Sequence, residues 1–138
     1  MTEKDFSKNK IKDYNYWEVY VHENQSYLGR CVIWCKRENA LDLTDATIEE
    51  QEELFIILKD LRQAIKKVFQ TDWFNYSFLG NSVRHLHCHL VPRYQEEKVF
   101  NGITFKDELW GRNWREDHSF ATSDILREQI KVKIQEVL

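Results

Sequence analysis

The sequence predicts an α+β fold in which an antiparallel sheet of about five strands packs against one long helix, with a helical extension at the C-terminus. Three observations predict it. Short runs between Tyr16 and Val91 alternate apolar and polar residues, one apolar stripe of helical period occupies 47–70, and helical spacing returns over 123–138.

The first strands come from Trp17, Val19 and Val21 alternating with Glu18, Tyr20 and His22, and from a looser alternation over 28–36. The turn-prone Glu23-Asn24-Gln25-Ser26 lies between them, so the pair reads as a β-hairpin. Leu54, Leu58, Leu61, Ile65 and Val68 then recur at spacings of three and four, which sets one apolar face along a helix. Thr47 and Glu50 have capping-box spacing, acidic residues crowd the start of this helix, and Lys59, Arg62, Lys66 and Lys67 its end, which complements the helix dipole. Residues 73–79 and 83–91, joined by Gly80-Asn81-Ser82, read as a second antiparallel pair. Pro92 is expected to end its second strand, because it lacks a ladder donor. Residues 93–121 show no sustained period yet carry Tyr94, Phe100, Phe105, Trp110, Trp114 and Phe120, the composition of a cover or an interface. Leu126, Ile130, Ile134 and Val137 restore helical spacing to the end of the chain.

With one Pro, four Gly, no repeat and no linker, the 138 residues fit one domain over 1–138, its core at 16–93 and a loop and helix at 94–138. A formal charge of −3, from 20 basic and 23 acidic residues, argues against a long nucleic acid as partner but leaves room for a small phosphorylated ligand. The longest apolar run, Leu54 to Leu58, is far short of the roughly 20 residues a membrane span needs. Met1 to Asp13 lacks the apolar segment of a secretory signal. Cys31, Cys35 and Cys88 are odd in number and lack Cys-x-x-Cys spacing. A cytoplasmic protein with no membrane partner is therefore expected.

The informative segment is Arg84-His85-Leu86-His87-Cys88-His89-Leu90-Val91-Pro92-Arg93. On a strand, His85, His87 and His89 share one face while Leu86, Cys88 and Leu90 share the other. These are three of the five histidines in the chain, and so polar a row is costly to bury without a use. His85 and His89 would be about 13 Å apart at ~3.3 Å per residue, so at most two of the three could share one metal ion. A zinc-dependent hydrolase is thus a minority reading. Nucleophilic attack by an imidazole on phosphorus suits the row better, with Arg84 and Arg93 as flanking cations and Asn81, Ser82 and the Gly80 turn as neutral donors. It requires the attacking nitrogen of His87 to be unprotonated and its other nitrogen to donate to a carbonyl. The cysteines read as buried hydrophobes, His22 and His118 as isolated and solvated, and Glu49 to Glu53 as a solvated helix start. The late aromatics read as packing, with Trp110 and Trp114 available to stack on a base.

The histidine row, preceded by Asn75 and Gly80-Asn81-Ser82, follows an upstream Leu28-Gly29-Arg30-Cys31-Val32-Ile33-Trp34, a basic Lys36-Arg37 and Leu41-Asp42-Leu43-Thr44. From about Trp17 to Arg93 this set resembles the histidine triad (HIT) superfamily of nucleotide hydrolases and transferases, in particular bacterial members like diadenosine-polyphosphate hydrolases. The resemblance implies a HIT-like fold and a homodimer. It also implies attack by His87 on the α-phosphate of a nucleotide conjugate, either a dinucleoside polyphosphate or an adenosine phosphoramidate, through a nucleotidyl-histidine. His85 and His89 would contact phosphate oxygens, Ser82 would assist the leaving group, and Asn81 and Asn75 would bind substrate near the phosphate. Arg30 stands where many members carry a fourth histidine and would add a cation beside the phosphate. No acidic ribose-binding residue is evident among His22, Glu23 and Asn24, so Asn24 is the candidate there. No cofactor is required, Mg²⁺ entering at most with the substrate. The rival reading is a nucleotide-binding or signalling protein with little turnover.

Overall fold

A computed structural model describes residues 6–138. Its strands are β1 (Lys10–Asp13), β2 (Trp17–Val21), β3 (Cys31–Cys35), β4 (Trp73–Ser77), β5 (His87–Arg93), β6 (Lys98–Phe100) and β7 (Ile103–Phe105). The helices are α1 (Ile48–Phe69) and α2 (Asp124–Val137). The first five strands form one antiparallel sheet in the order β1-β2-β3-β5-β4, and β6 and β7 form a separate hairpin. The α+β prediction stands.

Alternation divides the sheet. Trp17, Val19, Val21, Cys31, Ile33, Cys35, Cys88 and Leu90 are buried and join Leu54, Ile57, Leu61 and Ile65 of α1 and Ile130 and Ile134 of α2 in the core. The intervening positions of β3 and β5 pair Trp34 with His87 and Val32 with His89 on the face away from that core. The buried stripe of α1 is centred on Ile57, Leu61 and Ala64, and Leu58 and Val68 are only partly covered.

The N-terminus of α1 is capped as expected, Thr47 Oγ1 accepting from the Glu50 amide at 3.1 Å and the Glu50 carboxylate from the Thr47 amide at 2.9 Å. Glu50 is not solvated, however. It is buried, and Arg37 donates to it through Nε and Nη2, both at 3.0 Å, which with the Thr47 amide holds its carboxyl down at about 2.

Three expectations change. The β5 strand starts at His87 and residues 78–86 connect it to β4, so Gly80-Asn81-Ser82 is part of a nine-residue loop and His85 precedes the strand. Pro92 does not end β5, which pairs with β4 through Arg93. The reason is that β3 pairs only as far as Leu90, so position 92 owes no donor on that side. Within 93–121 the β6–β7 hairpin closes on Asn101-Gly102, with φ of 49° and 80°, the left-handed pair that a two-residue hairpin turn needs. Of the Met1 to Asp13 segment, read above only for its lack of a secretory signal, residues 1–5 lie outside the described residues, and the remainder includes a short 3-10 turn at Ser7–Asn9 and then β1. Among the described residues no helix is long and apolar enough to cross a membrane.

Candidate active site

His87 is brought to the centre of the site by its β3 partner. Its ring lies 5.4 Å from that of Trp34 and 5.1 Å, edge-on, from that of His89. It is 8% exposed, and its Nδ1 donates to the backbone carbonyl of His85 at 2.6 Å. A carbonyl can only accept, so the proton is on Nδ1 and the free lone pair on Nε2.

His85, just ahead of β5, is held differently. Its ring stacks on Trp34, with centroids 4.2 Å apart and planes at 14°, and its Nε2 donates to the Cys35 carbonyl at 2.6 Å. His89 takes a third environment: its Nδ1 is 3.2 Å from Arg30 Nη2. Burial first, then the charge of Arg30 and the nearby His87, pushes the His89 imidazole down to about 3.

A fourth histidine joins them. His22, expected to be isolated and solvated, lies 5.7 Å from His89 just past the end of β2, and its Nδ1 accepts from the Asn24 amide at 3.0 Å. Burial, followed by the Arg30 and His89 charges, holds it far below the ordinary histidine range. The β2 alternation already set His22 on the face of Glu18 and Tyr20, but its neighbour His89 is 67 residues away in sequence, so no local pattern could pair them. His118 is exposed as expected, although its Nδ1 lies 2.9 Å from Glu116.

Two clefts meet at His87 and His89. The larger, ≈ 1390 Å³, runs beside β4 and contains Asn75, Asn81, Ser82, Arg30 and Trp110. The other, ≈ 830 Å³, lies over the ends of β2 and β3 and contains Tyr20, His22, Trp34, Arg84 and His85. Ser82 borders both.

Asn75 accepts through Oδ1 from Arg93 Nη1 at 2.6 Å. Asn24 borders neither cleft: its amide donates to the Asp117 carbonyl at 2.9 Å and its Oδ1 accepts from the Ser26 amide, so the turn has consumed it. Arg93 is also occupied. It is buried, paired with Asp107 at 2.7 Å and 3.1 Å, and bonded to the carbonyls of Leu109 and Arg112, so it organises the 107–112 stretch and has no free donor for phosphate.

Residues 110–118 cross beside His89 and are tied down at several points. Trp114 Nε1 donates to Ser77 Oγ, the Arg115 amide to the Tyr27 hydroxyl, and Arg30 pairs with Glu116 at 2.5 Å. Trp114 covers the Arg30 guanidinium at 4.7 Å, and it lines the larger cleft together with Trp110. Among the described residues no group of three or more His, Cys, Asp or Glu is placed to hold a metal ion. His85 Nε2 and His89 Nδ1 are both engaged in hydrogen bonds.

Residues 4–96 match the model of the HIT domain family. The chain belongs to the HIT domain family. It is 31% identical over 118 residues to bis(5′-adenosyl)-triphosphatase of Saccharomyces cerevisiae (strain ATCC 204508 / S288c), a match covering 82% of this chain and 55% of the relative. The chain thus spans about half the length of the curated relatives it matches. Among solved structures it is similar to a histidine triad protein from Bradyrhizobium japonicum, with a TM-score of 0.75 and 20% identity over 94% of this chain and 91% of that one. A hypothetical histidine triad nucleotide-binding protein from Sulfolobus tokodaii superposes with a TM-score of 0.72 and 16% identity, covering 94% of this chain and 82% of the other. At these identities the structural likeness establishes the HIT fold alone.

Proposed function

We propose that this HIT protein hydrolyses, or transfers from, a nucleotide conjugate at its α-phosphate, by way of a nucleotidyl-histidine on His87. The observation that carries the proposal is the Nδ1–H···O bond from His87 to the His85 carbonyl, which leaves the Nε2 lone pair where the two clefts meet. The Nε2 of His87 attacks phosphorus, the bond from phosphorus to the leaving group breaks, and its electron pair departs with that group. Water then displaces the histidine and releases the nucleoside monophosphate. His89 serves the phosphate oxygens, His85, whose Nε2 proton is engaged by the Cys35 carbonyl, orients His87 through its own backbone carbonyl, Ser82 donates to the leaving group, and Asn81 and Asn75 bind the substrate around it, with Arg30 behind His89.

A dinucleoside polyphosphate or an adenosine phosphoramidate fits two clefts joined at one phosphorus. The yeast relatives, named for action on bis(5′-adenosyl) triphosphate, support the first. No resident cofactor is needed in this scheme, and Mg²⁺ enters only with the phosphates. The protein would act as a single HIT-like domain and as a cytoplasmic homodimer, a pairing supported by exposed Trp73 and Tyr76 on the edge strand β4. Hydrolysis of diadenosine triphosphate in ¹⁸O-water tests the site of attack: label in AMP is expected, and label confined to ADP would refute attack at the α-phosphorus.

One observation favours a second reading, a nucleotide-binding protein with little turnover: Arg30 occupies His89 directly. Undetectable hydrolysis with nucleotide binding intact would select it.

A further inference from the structure

Arg30 is the residue immediately before β3, and only 3% of it is exposed. Its Nη2 is 3.2 Å from His89 Nδ1, its Nη1 is 2.5 Å from Glu116 Oε1, and its guanidinium lies under Trp114 at 4.7 Å. Its Nε is buried with no hydrogen-bond partner among the described residues. An unsatisfied buried donor is destabilising, so the fold tolerates a cost to keep this cation where it is.

A guanidinium has five donors and no acceptor, so it can only donate to His89. The His89 Nδ1 must therefore carry a lone pair, and a neutral ring with that pattern has its proton on Nε2. We propose that Arg30 is a positioning residue that locks His89 in the neutral Nε2–H tautomer, with Glu116 and Trp114 holding the guanidinium against it. The inference rests on the reading that the triad binds phosphate, and it assigns His89 the task of a permanent neutral donor.

The surroundings agree. His22 faces His89 from the end of β2, neutral because its own Nδ1 accepts from the Asn24 amide. His87 faces it from β5 at 5.1 Å. Glu116 approaches from 110–118, but its carboxylate is engaged by Arg30 and His118. The nearest cation is therefore Arg30, and both it and burial oppose protonation of His89. A histidine free to exchange tautomers would present its donor for only part of the time. A locked one presents it always.

The test is ¹H–¹⁵N NMR of the histidine rings in the full chain, with His89 assigned by its loss in His89→Gln. In the wild type, Nδ1 of His89 is expected unprotonated and Nε2 protonated, without change from pH 8 to pH 5. In Arg30→Met, His89 is expected to mix tautomers and to titrate higher than in the wild type, burial still holding it below the ordinary histidine range. The kcat of that variant falls at least about tenfold at neutral pH, as for loss of one preorganised donor. Its activity is expected to fall further on acidification than that of the wild type, because His89 is easier to protonate without Arg30. Arg30→Lys, which keeps a donor, restores the tautomer and most of kcat. A wild-type His89 protonated at Nδ1, or titrating between pH 8 and pH 5, overturns the proposal without any variant. So does an Arg30→Met protein whose His89 behaves as in the wild type. The ring spectra need no turnover, so a locked His89 in a chain that hydrolyses nothing refutes the proposed function and leaves this inference standing.

Discussion

His87 Nδ1 donates a 2.6 Å hydrogen bond to the backbone carbonyl of His85, two residues before it. The bond is set by the backbone, so no side-chain carboxylate is needed to choose the tautomer that leaves Nε2 bare. In the proposed mechanism the whole reaction passes through that nitrogen. His87→Ala is therefore expected to lower kcat by three orders of magnitude or more, the scale of losing a nucleophile. Nucleotide affinity measured by calorimetry should change by less than about tenfold, roughly 1.4 kcal/mol. Comparable turnover in the variant would remove His87 from the reaction.

The two buried imidazoles beside it make stability depend on pH. Both His22 and His89 are depressed from an ordinary value of 6.5, so between that value and their folded values the unfolded chain binds more protons than the native one. Stability should be at its plateau above about pH 6.5 and decline as pH falls below it. The slope is up to about 1.4 kcal/mol per pH unit for each of the two groups. Urea titrations at pH 7.0, 6.0 and 5.0 read this directly, and the decline should shrink in His22→Gln. An unchanged midpoint across that range would contradict the assignment of neutral, buried rings.

Those two contacts also mark the limit of what the sequence discloses. The α1 helix was legible because Thr47 and Glu50 form their capping box within four residues, and the β2–β3 hairpin because alternation is local. The triad was legible because three histidines alternate on one short segment, although His85 leaves the strand to stack on Trp34. Edge strand β1 was not legible: of Lys10, Ile11, Lys12 and Asp13 only Ile11 is buried, so no alternation announces it. The β6–β7 hairpin did carry a signal in Asn101-Gly102, which the aromatic residues around it obscured. His22 beside His89 and Glu116 on Arg30 are contacts across 67 and 86 residues, made only when the sheet and the 110–118 segment assemble.

Gly29 is required by its backbone and by its neighbours. Its φ of +90° lies in the left-handed region, and an added Cβ would meet Ile65 Cγ2 at 3.1 Å and Phe69 Cδ2 at 3.3 Å. Gly29→Ala is expected to cost about 1–3 kcal/mol, whereas Gly111→Ala, with open space around it, should stay within about 0.5 kcal/mol. Equal urea midpoints for the two variants would refute the packing argument.

The side chains of Arg93 and Asp107 are almost fully buried, 3% and 1% exposed, and hydrogen-bonded to each other twice. Arg93→Met leaves the Asp107 charge without its partner and frees the Leu109 and Arg112 carbonyls. A loss of about 3–5 kcal/mol is expected, with residues 107–112 the first to gain amide hydrogen exchange. Unaltered exchange there would show that the stretch is held by other contacts.

The central claim is the covalent step at His87, and the most direct measurement is intact-protein mass spectrometry, quenched without acid after mixing with diadenosine tetraphosphate or an adenosine phosphoramidate. A transient added adenylate mass is expected on the wild type, absent from His87→Ala and His87→Gly, that decays as AMP appears. Release of AMP with no adduct under rapid quench, or an adduct that survives in His87→Ala, would contradict it.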